Sequence, residues 1–298
     1  MVLLDGKKLA EKILGGLKDE IASARSELRL AAVVVGEDSV TKKFVAQKRK
    51  TAASVGIDVR EYNFDAVIST NELRKRIAEI VHEKKNTGVI VQLPLPGHIN
   101  TQYILNAVPP EKDADVLSAR AVGNFAVGKS EIMPPVAGAI KAFFEEYQVD
   151  YRNKYAVIVG AGNLVGKPVA LWLLNEKATF SIVRSSTESP VEFTRTADIL
   201  ISGTGKPNFI TGDMVKSGVI MIDAGTSVDR QPTTHNPQPT TNNQQQSVIA
   251  GDVDFDSVAP KASYITPVPG GVGPVAVAVL LKNLVVLNKA LSKFPPRH

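Results

Sequence analysis

The chain has 298 residues, enough for two domains with cores of their own, and its 44% hydrophobic and 22% charged residues are ordinary for a globular protein. It contains no cysteine, which excludes disulfides, thiolate catalysis and Cys-ligated metals, and its histidines (His82, His98, His235, His298) are too scattered to form a legible metal cluster. A formal net charge of +5 suits phosphorylated or carboxylated ligands, and no aromatic-basic motif turns it toward nucleic acid.

The N-terminus runs from MVLL into an amphipathic helix expected over 5–26, with Leu9, Ile13, Leu14, Leu17 and Ile21 on one face. It shows no signal-peptide core, and no stretch of the chain reads as long enough to span a membrane, so a cytoplasmic protein with no membrane partner is expected. Then follow Leu30–Gly36 as a strand, Val40–Ser54 as a helix, Ile57–Phe64 as a strand and Asn71–Lys85 as a helix. Gly88-Val-Ile-Val-Gln-Leu-Pro-Leu-Pro96 is a strand running into a proline-stiffened turn. A second series begins near Pro134: a helix over Ala139–Tyr147, then strands at Tyr155–Val159, Thr179–Val183, Ile199–Ser202, Val219–Ala224 and Tyr264–Thr266. Alternating helices and strands predict α/β domains with parallel sheets. The last helix, Val275–Lys289, is apolar along most of its length and is expected to pack back on the first domain. The division predicted is a first domain over 1–120 completed by 275–298, and a second over 121–274. Within the second, Gln231–Gln246 (QPTTHNPQPTTNNQQQ) has no charged, aliphatic or aromatic residue and reads as a low-complexity insertion.

The stretch Lys154–Pro168, KYAVIVGAGNLVGKP, carries the clearest chemistry. An apolar strand, then Gly160, Gly162 and Gly166, then a helical pattern over Pro168–Leu174, is the opening of a dinucleotide-binding βαβ unit. The spacing is one residue longer than the common fingerprint, and Pro168 after Gly166-Lys167 rules out an ATPase-type phosphate loop. The next strand ends Ile182-Val183-Arg184-Ser185-Ser186-Thr187. An NAD site usually places an acid there for the ribose 2′-OH, whereas an arginine followed by hydroxyls suits a 2′-phosphate, so NADP is favoured over NAD.

Other polar residues have a bland reading beside the functional one. Thr41, Phe44 and Lys48 share a helix face, where a lysine beside an aromatic is usually a snorkelling surface residue. Gln92 at a strand end can be a cap, Asp115 in KDADVL a turn residue, and Thr266–Pro274 a stiff connector.

Taken together these segments resemble the bifunctional methylenetetrahydrofolate dehydrogenase/methenyltetrahydrofolate cyclohydrolases. The resemblance runs from DGKKLA to the last helix and is strongest in ITPVPGGVGP (Ile265–Pro274). VQLPLP (Val91–Pro96), PPEKDAD (Pro109–Asp115), GKPNFI (Gly205–Ile210) and GDVDF (Gly251–Phe255) support it. It implies an N-terminal α/β catalytic, folate-binding domain and a Rossmann-type NADP-binding domain with a parallel sheet. It also implies an enzyme of one-carbon metabolism and purine biosynthesis, working as a homodimer on a tetrahydrofolate-derived substrate with no metal. The alternative is a monofunctional dehydrogenase with weak or lost cyclohydrolase; a binding protein without turnover is a third reading.

Residue by residue, Lys48 matches the family's catalytic lysine, Gln92 the glutamine that orients it, and Asp115 the aspartate that holds the pterin. A carboxylate can accept a pterin's 2-amino and ring N–H groups as a charge-assisted pair, and a lysine stripped of solvent becomes usable as a proton carrier. Phe44 falls in the folate site, as do Pro269, Gly270 and Gly271. Gly160, Ala161 and Gly162 match the pyrophosphate loop, Arg184 and Ser185 the 2′-phosphate end, and Thr226 the nicotinamide contact. The chain departs from the family pattern at Phe44, where the family has tyrosine, at Gly162 (serine), at Val116 (glycine) and at Arg184 (histidine). It departs again at Met133-Pro-Pro-Val136, where the family has PCTP.

Overall fold

The computed structural model describes residues 1–24, 27–36, 38–229 and 248–293; the low-complexity segment 231–246 lies outside them. In chain order these residues form β1 (Val2–Leu3), α1 (Gly6–Ala24), β2 (Leu28–Val35), α2 (Ser39–Ser54), β3 (Ile57–Phe64), α3 (Thr70–His82) and β4 (Gly88–Val91). Next come α4 (Thr101–Leu105), α5 (Ala119–Ala126), α6 (Pro135–Glu146), β5 (Ala156–Val159), α7 (Gly166–Asn175), β6 (Phe180–Val183), α8 (Pro190–Thr196) and β7 (Ile199–Ser202). The chain finishes with β8 (Val219–Asp223), β9 (Ser227–Asp229), β10 (Val248–Ala250), α9 (Phe255–Val258), β11 (Ala262–Ile265) and α10 (Val272–Lys293).

The chain divides into two compact units, one of Lys7–Ala142 with the residues from Pro274 onward, the other of Met1–Gly6 with Phe143–Gly273. In the first, β3, β2 and β4 form a parallel sheet in that order. The central strand β2, LRLAAVVV, and the short β4, GVIV, are apolar and buried nearly throughout, as strands covered on both faces must be. The outer strand β3, IDVREYNF, alternates instead. The α3 helix buries Leu73, Ile77, Ile80 and Val81 at helical spacing, and Ser69 starts it by accepting the Glu72 N–H. The α10 helix buries Val275, Ala278, Leu280, Leu281, Leu284 and Val285. It fits because Gly88 and Gly138 lack side chains: a Cβ at either would lie 2.5 Å from Leu284 or 2.7 Å from Val279. The expectation that no stretch could span a membrane needs correction, since Val272–Ala290 is long and apolar enough by length and hydropathy. More than half of that stretch (56%) is buried inside the protein, which makes it a core helix.

The second unit holds a parallel sheet in the order β1-β11-β8-β7-β5-β6, with β9 and β10 as a separate antiparallel pair. Strands β5, β7 and β8 are buried at every residue. Two features differ from the sequence reading. MVLL is not a lead-in to the first helix: Val2 and Leu3 pair with Tyr264 and Ile265 as the edge strand of the second unit's sheet. Two residues are too few to show strand alternation. The division between units falls at Ala142/Phe143, inside α6, and not at 120/121. Ala137, Ala139 and Ile140 lie on one side of it, while Phe144 beyond it stacks on Tyr151 and packs against Trp172. The helices α4 and α5, which the sequence did not reveal, are too short for a legible hydrophobic period. They are set by their caps, Asn100 on the Tyr103 N–H and Ser118 on the Ala121 N–H.

Candidate active site

In the first unit three separate segments bring polar side chains together. The α2 helix is started by Asp38, whose carboxylate accepts the Thr41 N–H at 2.8 Å, and Thr41, Val45 and Ala52 are buried. That register leaves Lys48 half-buried and Phe44, one turn before it, 36% exposed. Gln92 follows β4 and extends its ladder through N–H to the Val33 carbonyl at 2.9 Å. Its Nε2 donates to the Leu93 carbonyl at 3.0 Å, which turns Oε1 outward to accept from Lys48 Nζ at 2.8 Å. The cis peptide Leu93–Pro94 comes directly after it.

Asp115 lies close enough to Lys48 for the two charges to interact: burial pushes its carboxyl above the ordinary range, and the lysine pulls it back. The turn that presents it was not legible in the sequence beyond Asp115 itself. Asp113, 4% exposed, accepts the N–H groups of Leu117 at 3.0 Å and Ser118 at 2.7 Å. Burial raises its pKa to about 6 against the pull of those bonds, with the Asp115 charge adding to the rise. Val116 sits at φ 57°, a left-handed conformation that costs a β-branched residue. The glycine that the family pattern places there was the available signal for this backbone.

The remaining candidates belong to the second unit, at the carboxyl ends of its parallel strands. There β5 lies between β6 and β7, the switch point at which open α/β sheets bind ligands. Gly160 has φ 103°, and a Cβ on it would approach the Gly203 carbonyl to 2.6 Å; one on Gly166 would come within 2.0 Å of the Gly160 carbonyl. A methyl added at Gly162 would meet nothing within 4 Å, so its surroundings accept a side chain. No side chain caps α7; in its first turn the Lys167 N–H is taken by the Gly162 carbonyl at 3.0 Å and Pro168 has none, so it is the glycine backbone of the loop that a ligand can approach. These features fit a dinucleotide pyrophosphate. Arg184 and Ser185, both exposed, follow β6 in a turn closed by the Arg184 N–H to Thr187 Oγ1 bond of 2.9 Å. Thr226, exposed, follows β8. Beneath it the buried Asp223 carboxylate accepts the N–H groups of Gly225, Asp252 and Val253, and burial raises its pKa to about 6. Asp252, fully buried, accepts from Ser202 Oγ and the Thr204 N–H, so the two acids tie the ends of β7 and β8 together. The Pro269–Gly271 turn is anchored by Thr266 Oγ1, which accepts the Asp223 N–H at 2.7 Å, and by Gly271, where a Cβ would meet the Pro267 carbonyl at 2.4 Å. Neither aspartate was singled out from the sequence, though Asp252 lies within GDVDF.

Two family models match this chain: the tetrahydrofolate dehydrogenase/cyclohydrolase catalytic domain over residues 4–115, and the NAD(P)-binding domain of the same family over residues 134–292. The chain belongs to the tetrahydrofolate dehydrogenase/cyclohydrolase family. Relatives in this family include the bifunctional protein FolD of Nautilia profundicola, 41% identical over 98% of this chain and 99% of its own. That of Moorella thermoacetica is 40% identical over 95% and 97%. Among solved structures, the bifunctional FolD methylenetetrahydrofolate dehydrogenase/cyclohydrolase of Campylobacter jejuni superposes with a TM-score of 0.88 at 37% identity, covering 97% of this chain and 99% of its own. The Trypanosoma brucei enzyme, solved with NADP cofactor and an inhibitor, gives 0.90 at 32% identity, with 98% of each chain covered. As a tetrahydrofolate dehydrogenase/cyclohydrolase, the chain carries a catalytic α/β domain and an NAD(P)-binding domain, as the sequence resemblance implied.

Proposed function

We propose that this protein oxidises 5,10-methylenetetrahydrofolate with NADP and hydrolyses the 5,10-methenyl product to 10-formyltetrahydrofolate. The observation that carries the reading is the Lys48–Gln92 hydrogen bond of 2.8 Å with Asp115 beside the lysine, in a chain of this family. Asp115 binds the pterin through its 2-amino and ring N–H groups, a two-pronged charge-assisted pair. Phe44 packs against the bound folate, and Pro269, Gly270 and Gly271 also serve substrate binding. Gly160, Ala161 and Gly162 hold the pyrophosphate, Arg184 and Ser185 hold the 2′-phosphate, and Thr226 borders the nicotinamide. NADP, when bound, accepts the hydride from the methylene carbon at its nicotinamide C4. The protein's part in that step is placement.

Hydrolysis asks more of the side chains. Water adds to the methenyl carbon and loses one proton to solvent; the remaining hydroxyl proton then passes to N5 as the carbon–N5 bond breaks, leaving the formyl group on N10. Lys48 Nζ carries the proton between these atoms. Gln92 is suited to hold the lysine because an amide oxygen accepts from it without neutralising its charge. The second reading, a dehydrogenase with weak or lost cyclohydrolase, rests on Phe44, which lacks the hydroxyl of the family's tyrosine. We also assign a homodimeric, cytoplasmic enzyme acting on small molecules, whose formyl product serves purine biosynthesis; the support is its family and the core position of α10.

The test is a progress curve with methylenetetrahydrofolate and NADP, following methenyltetrahydrofolate as it appears and decays. Lys48→Met is expected to abolish the decay and greatly slow the appearance, with NADP binding near that of wild type. A folded Lys48→Met protein that still hydrolyses methenyltetrahydrofolate at the wild-type rate would overturn the assignment.

A further inference from the structure

We infer that Asn283 of α10 is a positioning residue for Asp115, an inference that rests on the folate assignment of Asp115 above. Asn283 is 4% exposed on a helix face otherwise lined by Leu280, Leu281, Leu284 and Val285. A buried amide is unfavourable there unless its hydrogens are used, and both are: Nδ2 donates to the Ala114 carbonyl at 2.9 Å and to the Met133 carbonyl at 2.7 Å. An aliphatic side chain would serve helix packing alone.

The Ala114 carbonyl belongs to the peptide that joins Ala114 to Asp115. Fixing its direction fixes the plane of that peptide, and with it the direction in which Asp115 leaves the backbone. On the other side of Asp115 the chain is held against its preference. Val116, 1% exposed, stays at φ 57° while Asp113 takes the N–H groups of Leu117 and Ser118. Asp115 is therefore clamped from both sides, by Asp113 after it and by Asn283 before it. The second clamp comes from the far end of the chain. Without Asn283 the strained turn has a route to relax, and the Asp115 carboxylate loses its set position beside Lys48.

The test uses the full-length enzyme and compares the KM for methylenetetrahydrofolate with the KM for NADP. Asn283→Leu is expected to raise the folate KM about tenfold, the scale of one or two lost hydrogen bonds, with the NADP KM unchanged. Asn283→Ser, whose hydroxyl can serve a single carbonyl, is expected to give a smaller rise of the same kind and stands in should the leucine variant not fold. In the Asp115→Ala background, Asn283→Leu should add nothing further to the folate KM, because the group it positions is gone. An additive rise in that background, an equal rise in both KM values, or no rise at all would each overturn the positioning role. If Asp115→Ala itself leaves the folate KM unchanged, it is the folate assignment of Asp115 that fails, and the inference falls with it.

Discussion

At the scale of single residues, the lysine of the proposed site is held by a neutral side chain. Lys48 Nζ donates to an amide and not to a carboxylate, while Asp115 keeps its distance as a second, longer-range partner. Phe44 sits one turn before Lys48 and 36% exposed, so its ring offers a platform but no hydrogen bond. A tyrosine in its place adds a hydroxyl able to bond the lysine or the attacking water. Phe44→Tyr is expected to speed methenyltetrahydrofolate decay by about tenfold, within the range of acid–base contributions, and to leave hydride transfer nearly unchanged. Stopped-flow traces of the two steps check it; an unchanged decay rate would show that another group already supplies that bond.

At the scale of elements, two turns carry the constraints. In the glycine loop, Gly166 and Gly160 are required by contacts of the loop with itself and with Gly203, whereas Gly162 faces open space. Gly166→Ala places a methyl within 2.0 Å of a backbone oxygen, so the loop must move, and NADP binding and melting temperature should both fall. Gly162→Ser is expected to keep both. Tight NADP binding by a Gly166→Ala variant would show the loop to be more pliable than its contacts imply. In the Asp115 turn, Asp113 is raised from 3.8 to about 6 in the folded protein, so folding favours its protonated form. Above about pH 6 the folded state bears the cost of a buried charge. As pH falls from about 6 to about 4 the folded state takes up the proton first, and stability from this group rises by at most about 3 kcal/mol. Asp113→Asn cannot titrate, so its melting temperature relative to wild type should decline as pH is lowered through that window. A difference that stays constant from about pH 7 to about pH 4.5 would count against the raised pKa.

For the whole molecule, each unit is completed by the opposite end of the chain. Met1–Gly6 joins the second unit's sheet, and the helix from Pro274 onward joins the first unit. Across the segment 231–246, β9 and β10 pair with Asp229 opposite Val248, which brings the two flanks side by side. Replacing residues 230–247 by an Asn-Gly turn therefore spans the gap without disturbing the pairing. Apart from Arg230, the removed stretch holds no charged, aliphatic or aromatic residue, so its removal should leave turnover and melting temperature close to wild type. A large loss of either, measured by assay and calorimetry, would mean that the segment stabilises the enzyme or its assembly.

Some features follow from residues near one another in the chain. The bounds of β3 (Ile57–Phe64) and β7 (Ile199–Ser202), the strand–glycine–helix order around Gly160, and the family itself were legible without coordinates. Hydrophobic periodicity and turn chemistry are written locally, so a linear reading finds them. Val2–Leu3 as a sheet edge, the division of the units within α6, and the Lys48–Gln92 bond across 44 residues were decided by packing. The same holds for Asp113 and Asn283, whose partners Ser118 and Ala114 lie 5 and 169 residues away. An aspartate in a turn and an asparagine in an apolar helix have many possible partners in the sequence. Only burial, which makes an unpaired polar group costly, selects one.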